Sequence, residues 1–317
     1  MNPTFFMALA HTDNVACFED DSSENTKPIR ISNIRFLPER IRDNLLFSLS
    51  FDSEIHYLCE EVSGDPRASE ILSKEISWTK PRMMFADCGA FQYRNMESPT
   101  LKDGAPFDYN VAWARYEKAH LGERTNLWDE ILLCSPDHIV LESMDENEAK
   151  SRLEYSNSNA LPFLNIAKKH EHVTPVAVIH GRDIEERKKQ YDEFVSMGFD
   201  YVALGGMVPF SGSTGKVLEI VCDSENPEDP SVGKDSILAR CRRDGVRLHI
   251  FGLNSPDWCR WWYRLGIDSF DGSKLSTEGA ANGWYWLPKD GNYGRQTPER
   301  PPSSTKETPE RRRETPE

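Results

Sequence analysis

Short apolar runs alternate with amphipathic stretches along most of the chain, a pattern that predicts βα units and a parallel sheet. The runs at residues 5–10, 83–87, 138–141, 175–180, 201–204, 248–252 and 269–271 are the predicted strands. A helix is predicted from about residue 184 to 197, where Ile184, Tyr191, Phe194 and Val195 share one face and Gly198 supplies the stop. Another starts behind Ser255, a good N-cap, with Pro256 in its first turn and Gly266 at its end. Its Trp258, Trp261 and Trp262 read as packing residues. No internal repeat interrupts this order.

Chemistry collects where the predicted strands end. Asp87 closes one in Phe85-Ala86-Asp87-Cys88-Gly89-Ala90-Phe91-Gln92, and Asp271 closes another in Gly266-Ile267-Asp268-Ser269-Phe270-Asp271. Between them Tyr201-Val202-Ala203-Leu204 breaks into Gly205-Gly206-Met207. Three such ends suggest one face of a parallel α/β barrel, where side chains from distant strands converge. Two carboxylates there suit a nucleophile and a general acid/base acting on a glycosidic bond. Asp268 lies three residues before Asp271, so the two point to opposite faces of one strand, and only Asp271 ends the apolar run.

The other features read two ways. Gly205-Gly206 makes a tight turn or lets a planar ligand approach the main chain. In Leu141-Glu142-Ser143-Met144-Asp145-Glu146, an acid starts a helix or pairs with the adjacent N–H donors of a guanine-like edge, and Glu142 and Asp145 are equal candidates. His180 and His249 at strand ends, with Asp271, raise a metal-dependent hydrolase. Against it, the first strand leads into Ala10-His11-Thr12 rather than His-x-His, and no His-Glu-x-x-His helix exists. The run Ser211-Gly212-Ser213-Thr214-Gly215-Lys216 fails as a phosphate loop, with Phe210 at the first glycine position and Val217 at the Ser/Thr position.

Composition narrows the class. With 317 residues, 38% of them hydrophobic, the chain accommodates a barrel of about 250 residues, which we assign to residues 1–295. Residues 296–317 repeat Thr-Pro-Glu and read as a disordered tail; its five basic and five acidic residues cancel, so the net charge of −14 belongs to the barrel. Residues 222–234 read as an exposed loop, and residues 19–28 are similar to it. An acidic chain argues against general adhesion to nucleic acid or anionic membrane but leaves room for a local basic groove; Arg240, Arg242, Arg243 and Arg247 read as a phosphate-contacting patch or, preferably, as a solvated helix face. Seven scattered cysteines without a CxxC pair are expected to be free thiols, and neither metal nor cofactor is expected. No apolar run is long enough to span a membrane and no secretory start is present, so a soluble, cytoplasmic protein is expected.

Taken together, the strand ends resemble the tRNA-guanine transglycosylase superfamily, whose members exchange guanine in a polynucleotide for a 7-deazaguanine. Residues 87–92 are similar to its Asp-Ser-Gly-Gly-Phe-Gln, Val178-Ile179-His180-Gly181 to its Ile-Gln-Gly strand, and residues 198–207 to its Gly-Phe-Asp…Gly-Gly-Leu segment. His249-Ile250-Phe251-Gly252 through Asp271 resembles the closing nucleophile strand, and the matches are collinear over about 190 residues. The resemblance implies a single (β/α)8 TIM barrel in which Asp271 attacks C1′ and Asp87 protonates the leaving base. It also implies a base held by Glu142 or Asp145, His180, Gly205 and Gly206, with Met207, Phe91 and Gln92 beside them.

The chain departs from the family in three ways. No cysteine follows Cys259, so the family's zinc subdomain is expected to be missing; His180 replaces a glutamine; and Gly-Ala replaces Gly-Gly after Cys88. The last looks more like the DNA-guanine transglycosylases. DNA is therefore the favoured partner over tRNA, with a 7-deazaguanine such as 7-cyano-7-deazaguanine as the incoming base. A second copy of the chain or accessory modification proteins are further candidate partners. The alternatives are a tRNA enzyme of the queuosine or archaeosine type and a catalytically silent nucleic-acid-binding subunit.

Overall fold

A computed structural model describes residues 3–8, 15–18, 29–32, 44–48, 83–101, 103–118, 129–224, 226, 231–272, 285–289 and 292–296. Its strands are β1 (Thr4–Ala8), β2 (Val15–Phe18), β3 (Ile29–Ser32), β4 (Asn44–Ser48), β5 (Met83–Asp87), β6 (Glu130–Cys134), β7 (Val173–Ile179), β8 (Tyr201–Leu204), β9 (Arg247–Ile250), β10 (Ser269–Gly272), β11 (Tyr285–Lys289) and β12 (Asn292–Gln296). Eight of them close into a parallel barrel in the order β1-β10-β9-β8-β7-β6-β5-β4, while β2 with β3 and β11 with β12 form separate antiparallel pairs. The helices are α1 (Ala90–Tyr93), α2 (Tyr109–Lys118), α3 (Glu146–Ala167), α4 (Ile184–Met197), α5 (Thr214–Cys222), α6 (Ile237–Asp244) and α7 (Pro256–Leu265). The protein is a single (β/α)8 barrel.

Local chemistry explains the helices that the sequence predicts. The Asp183 carboxylate caps α4 by accepting from Glu186 N at 2.8 Å, and that helix stops at Gly198. Ser255 caps α7, where Trp258 and Trp262 stack with centroids 5.2 Å apart and donate to Ser211 O and Leu253 O. The tryptophans are packing residues, as their helical spacing suggested.

One strand expectation is corrected, and one barrel strand, β4, was not expected. The fourth barrel strand along the chain is β6 at 130–134, not 138–141, although the latter is also apolar. The backbone of 138–141 binds side chains instead of a neighbouring strand: His138 N donates to Ser156 Oγ, Ile139 O accepts from Arg152, and Leu141 N points at Met144 Sδ. β4 carries no alternation to announce it, since Leu45, Leu46 and Phe47 are all buried. Residues 9–12, 19–28 and 297–317, and with them the expected disordered tail beyond Gln296, lie outside the described residues.

The four arginines considered as a basic patch or as a solvated helix face are committed to other partners. Arg240 binds Asp192 and Asp235, Arg242 donates to Leu265 O, and Arg243 pairs with Asp244. Arg247, the first residue of β9, pairs with Glu130 at 3.0 Å, so it lies at the opposite end of its strand from the site described next. Among the described residues, no helix is long and apolar enough to cross a membrane.

Candidate active site

A pocket of about 980 Å³ opens at the C-terminal ends of the barrel strands. Asp87 at the end of β5 and Asp271 near the end of β10 both line it, with His180 after β7, Gly205 and Gly206 after β8, and Gly252 after β9. Asp137, in the loop after β6, completes the floor. This is the face on which a parallel barrel gathers catalytic groups.

Asp87 stands among like charges. Burial first, then the carboxylates of Asp137 and Asp271, push its pKa up to about 7, although the Gly89 N–H and the Ser48 hydroxyl oppose the shift. Asp137 is 4% exposed and holds two neighbours: its Oδ1 accepts from Cys88 Sγ at 2.8 Å, and its Oδ2 lies 2.6 Å from His180 Nε2. Burial first, then Asp137 and Asp87, push the Cys88 thiol well above its ordinary range, so it acts as a hydrogen-bond donor rather than a thiolate.

Asp271 meets donors instead. Gly252 N donates to its Oδ1 at 2.7 Å, and His249 Nε2 lies 3.3 Å from the same oxygen. The first contact depends on glycine: residue 252 has φ +75°, and a β-carbon there would stand 2.6 Å from Val208 Cγ2. Burial depresses the His249 pKa, with the Asp271 contact acting in the opposite direction. Asp268 lies at the other end of the strand, accepting from Leu248 N at 2.9 Å.

The wall formed by His180 and the Gly205–Gly206 turn is shaped by close backbone packing. A β-carbon on Gly205 would come within 2.2 Å of His180 Cε1, so the imidazole fits only against a glycine. Arg187, buried beneath, donates to Gly205 O at 3.0 Å and holds the turn. His180 N donates to Gln190 Oε1, while its Nδ1 is buried without a partner among the described residues. Arg152, 3% exposed, ties the loops after β5 and β6 together by donating to Arg94 O, Met96 O and Ile139 O and pairing with Glu148.

The remaining candidates divide. Met207 lines the pocket and is fully buried, and Phe91 lines its rim with the Arg94 guanidinium 3.9 Å over its ring. Asp145 lines the pocket but its Oδ1 accepts from Glu148 N, the helix-start role. Glu142 pairs with Lys216 at 3.3 Å, and neither it nor Gln92 is among the lining residues. His180, His249 and Asp271 do not form a ligand set; each histidine contacts a different carboxylate. Among the described residues, the donor atoms that could meet at one ion are those of Asp87, Cys88 and Asp137, within 4.8 Å of one another. With Cys88 protonated and hydrogen-bonded to Asp137, they form an acid network.

Sequence reasoning assigned no role to Asp137, Cys88 or Arg152, and placed His249 at a strand end, as a metal ligand or a hydrogen-bonded core residue, without pairing it with Asp271 as a donor. The signal for Asp137 was an acid immediately after Pro136 at the end of the buried run Ile131–Cys134, where the next strand seemed to begin.

A (β/α)8 barrel with two carboxylates of contrasting environment on its C-terminal rim is thus the class of protein in hand. No family model matches the chain. It is similar to a protein named DNA-guanine transglycosylase from Salmonella montevideo, 24% identical over 194 residues that make up 58% of this chain and 39% of that protein. The chain therefore spans well under half the length of this curated relative, which bears a name in keeping with the resemblance carried by the motifs.

Proposed function

We propose that the protein is a guanine transglycosylase that exchanges guanine in DNA for a 7-deazaguanine through a covalent aspartyl intermediate. The observation that carries this reading is the contrast between Asp87, raised to about 7 by burial and neighbouring carboxylates, and Asp271, held by donors across the same pocket. Such a pair separates general acid from nucleophile. An Asp271 oxygen forms the bond to C1′ while the C1′–N9 electron pair leaves with guanine, which takes the Asp87 proton. The incoming base then returns a proton from N9 to Asp87, bonds to C1′, and releases the Asp271 carboxylate. No group is consumed.

His180, the Gly205–Gly206 turn and Met207 form the wall against which the base lies, and Phe91 offers an aromatic face at the rim. The target nucleotide must leave the stack to reach this floor. DNA is favoured over tRNA by the relative's name and by Gly89-Ala90 after Cys88. The test is labelled guanine or 7-cyano-7-deazaguanine offered with DNA and with tRNA under matched salt, read by mass spectrometry of the nucleosides. Label in DNA is expected; label confined to tRNA would move the assignment to the tRNA enzymes. Absence of exchange in both would favour the silent binding subunit.

A further inference from the structure

Behind Asp271, a line of polar side chains runs down through the barrel interior. Ser269, first in β10, sits opposite His249 of β9, and Tyr201 begins β8. Tyr201 OH lies 2.5 Å from Ser269 Oγ, Ser269 Oγ 2.7 Å from His249 Nδ1, and His249 Nε2 3.3 Å from Asp271 Oδ1. All four residues are buried. At the lower end, the Arg247 guanidinium sits 4.3 Å over the Tyr201 ring and is itself held by Glu130.

We propose that Tyr201, Ser269 and His249 form a hydrogen-bond relay of fixed direction that positions Asp271 by holding the imidazole with its proton on Nε2. This rests on the reading of Asp271 as nucleophile, and the three relay members are positioning residues. The direction follows from the ends. A carboxylate oxygen only accepts, so the contact with Asp271 requires a proton on His249 Nε2. The rings of Phe85, Phe251 and Phe6 surround the imidazole at 4.5, 4.6 and 6.1 Å and offer nothing to solvate an imidazolium. A neutral ring protonated at Nε2 has a lone pair on Nδ1, which accepts from Ser269 O–H. Ser269 Oγ in turn accepts from Tyr201 O–H, and every donor is used. The reverse direction would set an imidazole lone pair against the Asp271 carboxylate.

The consequence is orientation. The Gly252 and His249 N–H groups both donate to Oδ1, which fixes the carboxylate plane and assigns the attack to Oδ2. In the glycosyl ester, Oδ1 becomes the carbonyl oxygen and keeps both donors; when the ester breaks, its electron pair returns to a carboxylate already faced by them. The signal in the sequence was three polar side chains, Tyr201, His249 and Ser269, in strands whose only other polar side chains are Arg247 and Asp271.

Two measurements on the full chain test the relay. Long-range proton–nitrogen NMR of the histidine rings should show His249 protonated at Nε2 and bare at Nδ1 in the wild type, and a tautomer mixture in Ser269→Ala. In labelled-guanine exchange into DNA, Ser269→Ala should lower kcat about ten-fold with little change in KM for the base, and Ser269→Thr, which keeps the hydroxyl, should recover most of it. Tyr201→Phe keeps the ring under Arg247 and should lower kcat by a smaller factor; it serves if Ser269→Ala folds poorly. A wild-type His249 protonated at Nδ1 or at both nitrogens, or a Ser269→Ala enzyme with wild-type kcat, overturns the relay. If Asp271→Asn still forms a covalent adduct, the nucleophile reading falls, and the tautomer measurement still decides whether the relay exists.

Discussion

The two halves of the pocket hold the same functional group in opposite surroundings. On the β5 side, Asp87 has Asp137 and Asp271 as charged neighbours, and its pKa rises to about 7. On the β10 side, Asp271 is met by the Gly252 N–H and the His249 ring. A carboxyl crowded by carboxylates holds its proton and can serve as an acid; one faced by donors is held in a fixed orientation, as the proposed nucleophile requires. The difference lies in the neighbours, not in the residue type. Those neighbours come from other strands and the loops that follow them, so the comparison can be broken from either side.

The largest effect is expected on the donor side. Asp271→Asn should leave fold and base binding intact and abolish the denaturation-resistant protein–DNA adduct, with exchange falling by at least about a thousand-fold. Asp268→Asn, which alters only the cap on Leu248 N, should retain the adduct. Denaturing electrophoresis of trapped complexes reads both. An adduct in Asp271→Asn and none in Asp268→Asn would reverse the assignment and the strand register behind it.

On the acid side, activity and stability should move in opposite directions. Asp87→Asn removes the proposed proton donor and should lower exchange by roughly a hundred-fold or more. Because the folded-state pKa is raised from 3.8 to about 7, the fold binds more protons than the unfolded chain in that window. The wild type therefore loses stability as pH rises from about 4 to above 7, and the asparagine variant escapes this loss. Its gain above pH 7 has an upper bound of roughly 4 kcal/mol, reduced because the pocket admits water. Thermal unfolding at pH 5 and pH 8, chosen as about one unit inside and outside the window, checks the sign. A variant destabilised at the higher pH would refute the environment drawn for Asp87.

How much of this contrast was legible follows from what each part depends on. Asp87, Asp271 and the glycine turn stand at the ends of apolar runs, and run endings survive in a linear reading. The helices at 184–197 and 256–265 were visible because caps, face spacing and terminal glycine agree. Asp137 was not visible, because its importance comes from lying 2.6 Å from a histidine 43 positions away and beside Asp87 from another strand. The shift of β6 from 138–141 to 130–134 has the same origin: Ser156 and Arg152 on α3 satisfy the backbone that a strand partner would otherwise take.

A milder break in the comparison is to neutralise Asp137, the neighbour that contributes most after burial to the Asp87 shift. Asp137→Asn should let Asp87 ionise more easily and move the alkaline limb of the pH–rate profile to lower pH. Exchange at neutral pH should then drop several-fold, with near-recovery about one pH unit lower. An unshifted profile would show that burial and Asp271 hold the Asp87 proton without Asp137.

The smallest effects are expected where the sequence left two acids open. Glu142 is half-exposed, engages Lys216, and lies off the pocket lining, so Glu142→Ala should change exchange by less than about two-fold, as for a surface ion pair. Asp145 lines the pocket while capping α3, so Asp145→Ala should cost about 1 kcal/mol of stability through the lost contact to Glu148 N. If it also reads the base, KM for guanine should rise beyond what the stability loss explains, and Asp145→Ser, which restores a cap oxygen but not a carboxylate, should recover stability without recovering KM. Full recovery of both by serine would confine Asp145 to the helix start and leave base recognition to His180 and the Gly205–Gly206 turn. A large loss in Glu142→Ala alone would mean that the rim loop closes over the substrate in an arrangement different from the one described.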